Sequence, residues 1–325
     1  MISMFDAVKP VSIVDIEAAR ERLQSLGLLS PLVVCDAAPA GKSVSLKLEN
    51  LQPIGSFKIR PLGNAVLSKS RVDLKNGIYT TSSGNSALAV AWMASRLGIA
   101  ASAVVPENAP EVKLQKLRPL GARIDIRSSE EWWRAIEAGV LTDQEGLYID
   151  AVRDPASIAG DGTIGLEILE ESPDVEAILV PFGGGALACG IACAVRAIRP
   201  AVKVIACELA SAHPLKAAFA AGAPVQTPHE PGFVNGVGYG SVLPEMWPLA
   251  SSMIHGVITV SLAEVAAAIR IMAEHNRVVA EGAGAVSVAA ALSGRYQESK
   301  VCAVVSGGNL DSQMLVTILQ GRVPS

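Results

Sequence analysis

The chain has 325 residues, of which 50% are hydrophobic and 18% charged, and its formal net charge is −4. This acidic balance, without a block rich in Lys and Arg, excludes a general nucleic-acid binder, which would carry a basic patch. The apolar residues are mainly Ala, Val, Ile and Leu spread along the chain. They predict large cores of small side chains, as parallel α/β sheets have. The five cysteines lie in apolar surroundings, which predicts buried reduced thiols and no disulfide framework.

We expect neither a signal peptide nor a membrane span. The opening residues lack a basic stretch followed by an apolar one. The most membrane-like stretch, residues 177–198, is interrupted by Pro181 and by the three consecutive glycines 183–185, so a strand, a turn and a helix are the better interpretation. The prediction is a cytoplasmic protein with no membrane partner.

Strands and helices alternate from residue 77 onward. Strands are predicted at 77–83, 101–106, 122–126 and 147–151, and helices at 85–98, 110–121 and 128–139. The last of these helices opens with Ser128, an N-cap residue, and ends on Gly139.

A second series of the same kind begins near residue 155. Helices are predicted at 155–171 and 185–200, strands at 176–182 and 202–208, then helices at 261–276 and 283–294, a strand at 300–308 and a helical end. Ser261 and Glu264 have the spacing of a capping box. Residues 209–258 are less regular. Two such series predict an α/β fold with two domains, each an open, mostly parallel sheet flanked by helices.

Ligands of open parallel sheets bind at the carboxyl ends of the strands, so the residues that follow each strand are candidates. In the first such turn, residues 81–87, the side chains of Ser82, Ser83 and Asn85 surround Gly84. Together with the free amides of a helix N-terminus they could hold a carboxylate. A capped helix with a turn glycine is the alternative.

The second turn, residues 179–190, contains three consecutive glycines whose amides could converge on a phosphate. It also matches the dinucleotide pattern G-x-G-x-x-A through Gly183, Gly185 and Ala188. Glu208 ends the next strand, where a ribose-binding acid would lie. An NAD site and a close-packed turn therefore both remain open. Cys189 and Cys193, one helical turn apart, are predicted to pack as small hydrophobic residues, and we expect no metal.

The third turn, residues 304–311, places Ser306 at the tip of a strand, where its hydroxyl could bond to a ring nitrogen. A helix cap is the alternative. One lysine, Lys58, lies between Phe57 and Ile59. Apolar neighbours lower the pKa of a lysine, as an amine that forms an imine requires.

Pyridoxal 5'-phosphate (PLP) would use all four features, whereas NAD would leave Lys58 and Ser306 without a role. PLP has a phosphate, a pyridine nitrogen and an aldehyde that a lysine captures as a Schiff base. An amino-acid substrate would supply the carboxylate for the first turn. PLP is therefore the predicted cofactor.

Five segments occur in the order and spacing of a known family: LENLQPIGSFKIR, SSGN, AGDGTIGLEI, PFGGGALACGIA and VVSGGN. From about residue 10 to its end the chain resembles the serine/threonine dehydratases and serine racemases, which are fold-type-II PLP enzymes. The resemblance implies a large PLP-binding domain of residues 1–72 and 153–325, and a small domain, 73–152, that closes over the substrate. It also implies a homodimer.

The resemblance assigns roles to individual residues. Lys58 would form the Schiff base and take the substrate α-proton, and Ser83 would be the second acid/base. The substrate would lie against Ser82, Gly84 and Ser86. The cofactor-binding residues would be Phe57, Asn85, Gly183, Gly184, Gly185, Ala186, Leu187, Gly236 and Ser306.

The implied reaction is loss of water from a β-hydroxy amino acid, which yields a 2-oxo acid and ammonia. A neutral group at Ser306 would not keep the ring nitrogen protonated, which favours prompt loss of a β-substituent over transamination. Racemisation or β-replacement on the same fold, and an NAD-dependent oxidoreductase, remain alternatives.

The sequence departs from the family pattern near the expected substrate. Ser86 replaces a histidine, and Asn235 replaces the usual aspartate before Gly236. A substrate with a larger β-substituent is therefore open. Pro214 lies where metal-binding relatives have an acid, so we expect no divalent cation. The chain leaves no room for a C-terminal regulatory domain, so we expect no feedback inhibition by a branched-chain amino acid.

Overall fold

The computed structural model describes residues 5–107, 109, 111–139, 141, 143–228 and 232–324. Its strands are β1 (Leu32–Val34), β2 (Ser43–Lys47), β3 (Ile78–Thr80), β4 (Ala101–Pro106), β5 (Arg123–Arg127), β6 (Leu147–Tyr148), β7 (Ala177–Pro181), β8 (Lys203–Leu209), β9 (Gly256–Val260) and β10 (Lys300–Val304). Its α-helices are α1 (Ile13–Gln24), α2 (Ile59–Leu67), α3 (Asn85–Leu97), α4 (Glu111–Gln115), α5 (Ser129–Ala138), α6 (Pro155–Glu171), α7 (Ala186–Ile198), α8 (Pro214–Ala221), α9 (Trp247–Met253), α10 (Leu262–Ile271), α11 (Gly282–Ser293) and α12 (Ser312–Leu319).

The strands form two sheets. The larger has six strands in the order β1-β2-β10-β7-β8-β9, and the smaller has four in the order β5-β4-β3-β6. Every pairing is parallel except that of β1 with β2. Helices cover the apolar strands, so the predicted α/β fold with two mostly parallel sheets is confirmed.

Helix ends follow the chemistry of the sequence. Both predicted caps are present: Ser128 and Ser261 each accept a hydrogen bond from the third helical amide and complete a capping box. Gly98 and Gly139 end α3 and α5 in the left-handed conformation, which glycine adopts without steric cost.

The core of the larger sheet depends on close contact between α6 and α7. A Cβ added to Gly190 would lie 2.5 Å from the carbonyl oxygen of Ile158, and one on Gly165 would lie 3.1 Å from that of Ile191. Cys189 and Cys193 belong to this apolar cluster, as predicted. All five cysteines are buried and free.

Several predicted elements differ in extent. The helix expected at 110–121 is the short α4 followed by a 3₁₀ turn, Arg118–Leu120, because Pro119 cannot continue an α-helix; residue 110 lies outside the described residues. The helix expected at 261–276 is α10, which ends at Ile271, and a π-helical turn, Met272–Asn276, follows it. The region 209–258, expected to be irregular, contains α8, α9 and the start of β9. Among the described residues, no helix is both long and apolar enough to cross a membrane.

Candidate active site

The three predicted turns each follow the carboxyl end of a parallel strand. The first follows β3 in the smaller sheet, and the second and third follow β7 and β10, which are adjacent and parallel in the larger sheet. The second and third turns therefore meet at one edge of the larger sheet, as the sequence predicts.

The third turn is joined to the segment that carries Lys58. The amide of Phe57 donates to the carbonyl of Ser306 at 2.9 Å, and the amide of Gly308 donates to the carbonyl of Gly55 at 2.8 Å. Ser306 itself is only 4% exposed. These backbone bonds fix Lys58 and Ser306 in the same part of the fold.

Lys58 is the N-terminal cap of α2, and its amine lies over the ring of Phe57, 4.7 Å from the ring centre. Burial lowers the pKa of Lys58, while the charges of Asp161 and Asp150 act in the opposite direction. The net effect is a lowered pKa, which increases the fraction of neutral amine available as a nucleophile or base.

The second turn is a glycine loop that has no room for side chains at its three glycines. A Cβ on Gly183 would lie 2.2 Å from the carbonyl oxygen of Gly236, and one on Gly185, whose φ is +97°, would lie 2.8 Å from Met246 Cγ. A Cβ on Gly184 would lie 3.0 Å from a methyl group of Val152.

The amides of this loop have no protein acceptor among the described residues. Ala186 and Leu187 begin α7, and the first amides of a helix have no partner within it. This cradle fits a phosphate group, and its position beside Lys58 and Ser306 fits PLP. Gly236 has φ +86°, and its carbonyl oxygen lies against Gly183.

The first turn contacts the third through Asn85, the first residue of α3. Its side-chain amide donates to Glu281 at 2.7 Å, and its oxygen accepts from Asn309 at 2.9 Å. Asn309 also donates to the carbonyl of Ile54, which lies in the segment that carries Lys58. Asn85 is thus held beside the third turn, where a cofactor ring would lie.

The other first-turn residues are half-buried. Ser82, Ser83, Gly84 and Ser86 all have intermediate exposure. The Ser82 hydroxyl accepts from the amide of Gly84 at 3.1 Å, which shapes the loop. Their exposure is what a substrate-binding loop requires.

Glu208 does not have the environment that an NAD site requires. It is fully buried and accepts hydrogen bonds from the amides of Leu215 and Lys216, at 2.8 and 3.0 Å. Its carboxylate therefore caps α8 and is not free to bind a ribose hydroxyl.

Three residues near Lys58 were not assigned from sequence. Glu281 and Asn309 hold Asn85, and Asp161 interacts electrostatically with Lys58. Asp161 lies within the AGDGTIGLEI segment, but its burial becomes evident only when α6 packs on α7. Glu281 precedes α11 without a motif that would have marked it.

A lysine of lowered pKa lies beside a glycine loop with free amides, at the carboxyl edge of a parallel sheet. These features are typical of the class of α/β enzymes that hold a phosphorylated carbonyl cofactor. The family model described as pyridoxal-phosphate dependent enzyme matches residues 26–307, and the chain belongs to this family. Its cofactor is PLP, and its fold is that of the fold-type-II enzymes.

Named relatives cover nearly the whole chain. A putative threonine dehydratase of Sinorhizobium fredii is 36% identical over 96% of this chain and 96% of its own. An L-threonine ammonia-lyase of Thermotoga maritima is 35% identical over 97% of this chain and 80% of its own. The structure of maize serine racemase matches with a TM-score of 0.89 at 30% identity, covering 96% of this chain and 98% of that one.

Proposed function

We propose that this protein is a PLP-dependent ammonia-lyase that removes water from a β-hydroxy amino acid and releases a 2-oxo acid and ammonia. The observation that carries the proposal is the junction of the Lys58 segment with the third turn, next to the glycine loop. Relatives named threonine dehydratase and L-threonine ammonia-lyase support a carbon–oxygen lyase.

The chain's residues would divide the work as follows. The amides of the loop from Gly183 to Leu187 would bind the phosphate, and Ser306 would bond to the pyridine nitrogen. Asn85 would bond to the ring hydroxyl, and Phe57 would contribute to the cofactor site. When bound, PLP withdraws electrons from the substrate α-carbon and so makes its hydrogen acidic.

Proton movement belongs to two side chains. The neutral amine of Lys58 takes the α-proton, because a lowered pKa leaves the amine able to accept it. Ser83 would be the second group that gives or takes a proton. Ser82, Gly84 and Ser86 hold the substrate carboxylate at the N-terminus of α3, whose free amides favour an anion.

The cofactor assignment is tested by the visible spectrum of the purified full-length protein and of its Lys58→Ala variant, before and after borohydride. We expect a yellow band in the wild type that borohydride fixes covalently and that the variant lacks. A protein that stays colourless after PLP is added would contradict the assignment.

The reaction is tested with a panel of β-hydroxy amino acids that includes serine, threonine and compounds with larger β-substituents. Ammonia and a 2-oxo acid are expected from at least one of them. A D-amino acid as the main product would favour a racemase, for which the similarity to maize serine racemase is the specific support. A new thioether formed in the presence of a thiol would favour β-replacement.

We also propose that residues 73–152 form a small domain that closes over the substrate, with residues 1–72 and 153–325 as the PLP-binding domain. The smaller sheet is built from strands within 73–152, which supports this division. Polar contacts join the two parts near the site: Lys116 donates to Asn309 at 3.1 Å, and Asn85 donates to Glu281 and accepts from Asn309.

A homodimer is the proposed assembly. Val34 of the edge strand β1, Leu51 and Val279 are 69%, 58% and 40% exposed, respectively. Asn50 links the last two, because it neighbours Leu51 and donates to the carbonyl of Val279 at 3.0 Å. Val34 is joined to the same region, because its carbonyl accepts from the side chain of Asn276 at 2.8 Å. Such an apolar patch supports contact with a second copy. Val34→Glu should yield a monomer in sedimentation; a wild type that sediments as a monomer would contradict the proposal.

The free, buried cysteines support a reducing compartment, and we propose a cytoplasmic location.

A further inference from the structure

Asp161 is a buried acid whose carboxyl group makes no hydrogen bond. It lies in the middle of α6 with 0% exposure, and neither of its oxygens has a hydrogen-bond partner in the part of the chain that the structure describes. Leaving such a group buried costs free energy, so its presence in a core calls for an explanation.

The helix that carries Asp161 packs directly on the first turn of α2. A Cβ on the adjacent Gly160 would lie 2.6 Å from the carbonyl oxygen of Arg60, and a Cβ on Gly190 of α7 would lie 2.7 Å from the Asp161 Cβ. Asp161 is therefore enclosed between α7 and the start of α2, where Lys58 is the cap residue.

Lys58 and Asp161 perturb each other's pKa. Burial raises the pKa of Asp161, and the charge of Lys58 lowers it in part. Burial likewise lowers the pKa of Lys58, and the charge of Asp161 raises it in part. The two groups are thus the main charged neighbours of one another.

The charges on α2 and on the 3₁₀ turn Glu49–Leu51 are already compensated. Glu49 and Arg60 bond to each other through two hydrogen bonds of 2.8 Å, and Arg60 also binds Glu167. These groups do act on Asp161: the charge of Glu49 raises its pKa and the charge of Arg60 lowers it. The two effects on the pKa therefore have opposite directions.

The remaining nearby groups are also accounted for. Asp150 accepts from the amides of Val152 and Arg153 and from the Arg153 side chain. Cys189 adjoins Asp161 on α7, and burial raises the pKa of its thiol, which stays neutral. Among the described residues, Asp161 is the acid near Lys58 that has no other partner.

We propose that Asp161 is a positioning residue for Lys58, and that its carboxylate stabilises the ammonium group formed when the Lys58 amine takes up a proton. This inference rests on the proposed function, in which that amine removes the α-proton of the substrate. The proton leaves the α-carbon and binds the lone pair of Nζ. Asp161 forms and breaks no covalent bond and supplies only the opposing charge.

The test compares the full-length wild type with Asp161→Asn, a substitution of nearly equal shape. After PLP has been removed, Lys58 is labelled with trace acetic anhydride over a range of pH, and the extent is read by mass spectrometry of its peptide. Loss of the carboxylate should lower the labelling midpoint by about one pH unit or more, which is about tenfold in neutral amine below both midpoints.

Glu208→Gln is the matched control, because Glu208 is also a fully buried acid but does not act on the pKa of Lys58. It should leave the midpoint unchanged. Equal shifts in both variants, or no shift in Asp161→Asn, would overturn the inference.

A second measurement serves if Asp161→Asn does not fold. The coupling is reciprocal, so Lys58→Met should raise the pKa of Asp161, which isotope-edited infrared or carboxyl NMR titration can follow. An unchanged Asp161 titration in Lys58→Met would overturn the inference.

The cofactor-loaded enzyme separates this inference from the proposed function. The pH dependence of its visible absorbance reports the nitrogen of Lys58 and should shift to lower pH in Asp161→Asn. If the wild type binds no PLP, the proposed function fails, and the labelling still decides whether Asp161 acts on Lys58. If the wild type binds PLP but neither titration moves, only the role of Asp161 fails.

Discussion

Arg60 and Glu49 form a two-bond ion pair that is enclosed beneath the start of α2. Arg60 Nε donates to Glu49 Oε2 and Nη2 donates to Oε1, each at 2.8 Å, and the side chains are 2% and 0% exposed. Arg60 also donates to both oxygens of Glu167, at 2.6 and 2.8 Å. Because Arg60 follows Lys58 by only two positions, this network helps to hold the lysine segment in place.

Arg60→Met should destabilise the fold strongly, because it leaves Glu49 buried without a counter-charge and removes one of the two cations that bind Glu167, the other being Lys47. Breaking a buried pair by removing one partner costs about 3–5 kcal/mol. Urea unfolding at neutral pH measures the loss.

Arg20→Met is the matched control for Arg60→Met. The pair of Arg20 with Glu170 is 38% and 63% exposed, and exposed pairs contribute about 0–1 kcal/mol. Similar losses in both variants would contradict the importance given to the buried network.

Gly183→Ala should weaken PLP binding by about tenfold or more, because the new Cβ would lie 2.2 Å from the carbonyl oxygen of Gly236. Such a clash moves the backbone by more than a phosphate hydrogen bond tolerates, and a lost charge-assisted bond is about 1.5–3 kcal/mol. Titration of the PLP-free protein with PLP, followed by absorbance, gives the affinity.

Gly256→Ala controls for the general effect of an added methyl group. A Cβ there has no atom within 4 Å, and Gly256 has no positive φ. Its PLP affinity should equal that of the wild type, whereas wild-type affinity in Gly183→Ala would argue against the phosphate cradle.

The sequence predicted those parts of the site that depend on short-range patterns. The three turns were placed because glycine and serine follow apolar strands, and the carboxyl ends of neighbouring parallel strands must meet. The capping serines, Ser128 and Ser261, were predicted for the same local reason.

Residues whose roles depend on long-range packing were not predicted. Asp161 looks like any polar residue of a helix until α7 covers it, and Asn309 meets Asn85 only because the two sheets come together. The spacing of Glu208 from the glycine turn predicts a possible ribose ligand. The structure shows that α8, an element the sequence did not predict, occupies its carboxylate.

Glu208 should make stability depend on pH. Burial raises its pKa to about 7 in the folded state from 4.5, although the amides of Leu215 and Lys216 lower it in part. Between these two values the unfolded chain has lost the proton that the folded chain still holds. The free energy of unfolding should therefore fall as pH rises through this window.

Glu208→Gln should remove this contribution. We expect the stability of the wild type relative to Glu208→Gln to be lower above pH 7 than below pH 4.5, the two limits of the window. Urea midpoints measured across the range decide the point. A constant difference between the two proteins would show that folding does not shift the pKa of Glu208.

Lys116→Met tests whether the contact of Lys116 with Asn309, one of those between the two parts of the chain, contributes to substrate binding. Lys116 donates to Asn309 at 3.1 Å from an exposed position, and exposed polar contacts contribute little. If residues 73–152 close over the substrate, loss of this contact should raise KM by no more than about fivefold, since about 1 kcal/mol is at stake. The PLP spectrum should not change, because Asn309 keeps its bonds to Ile54 and Asn85.

Lys75→Met is the control for Lys116→Met, because Lys75 is an exposed lysine of the same segment. This control should leave KM unchanged. A fall in kcat with an altered spectrum would instead mean that Lys116 acts through Asn309 on the cofactor, because Asn309 holds Asn85 beside the third turn.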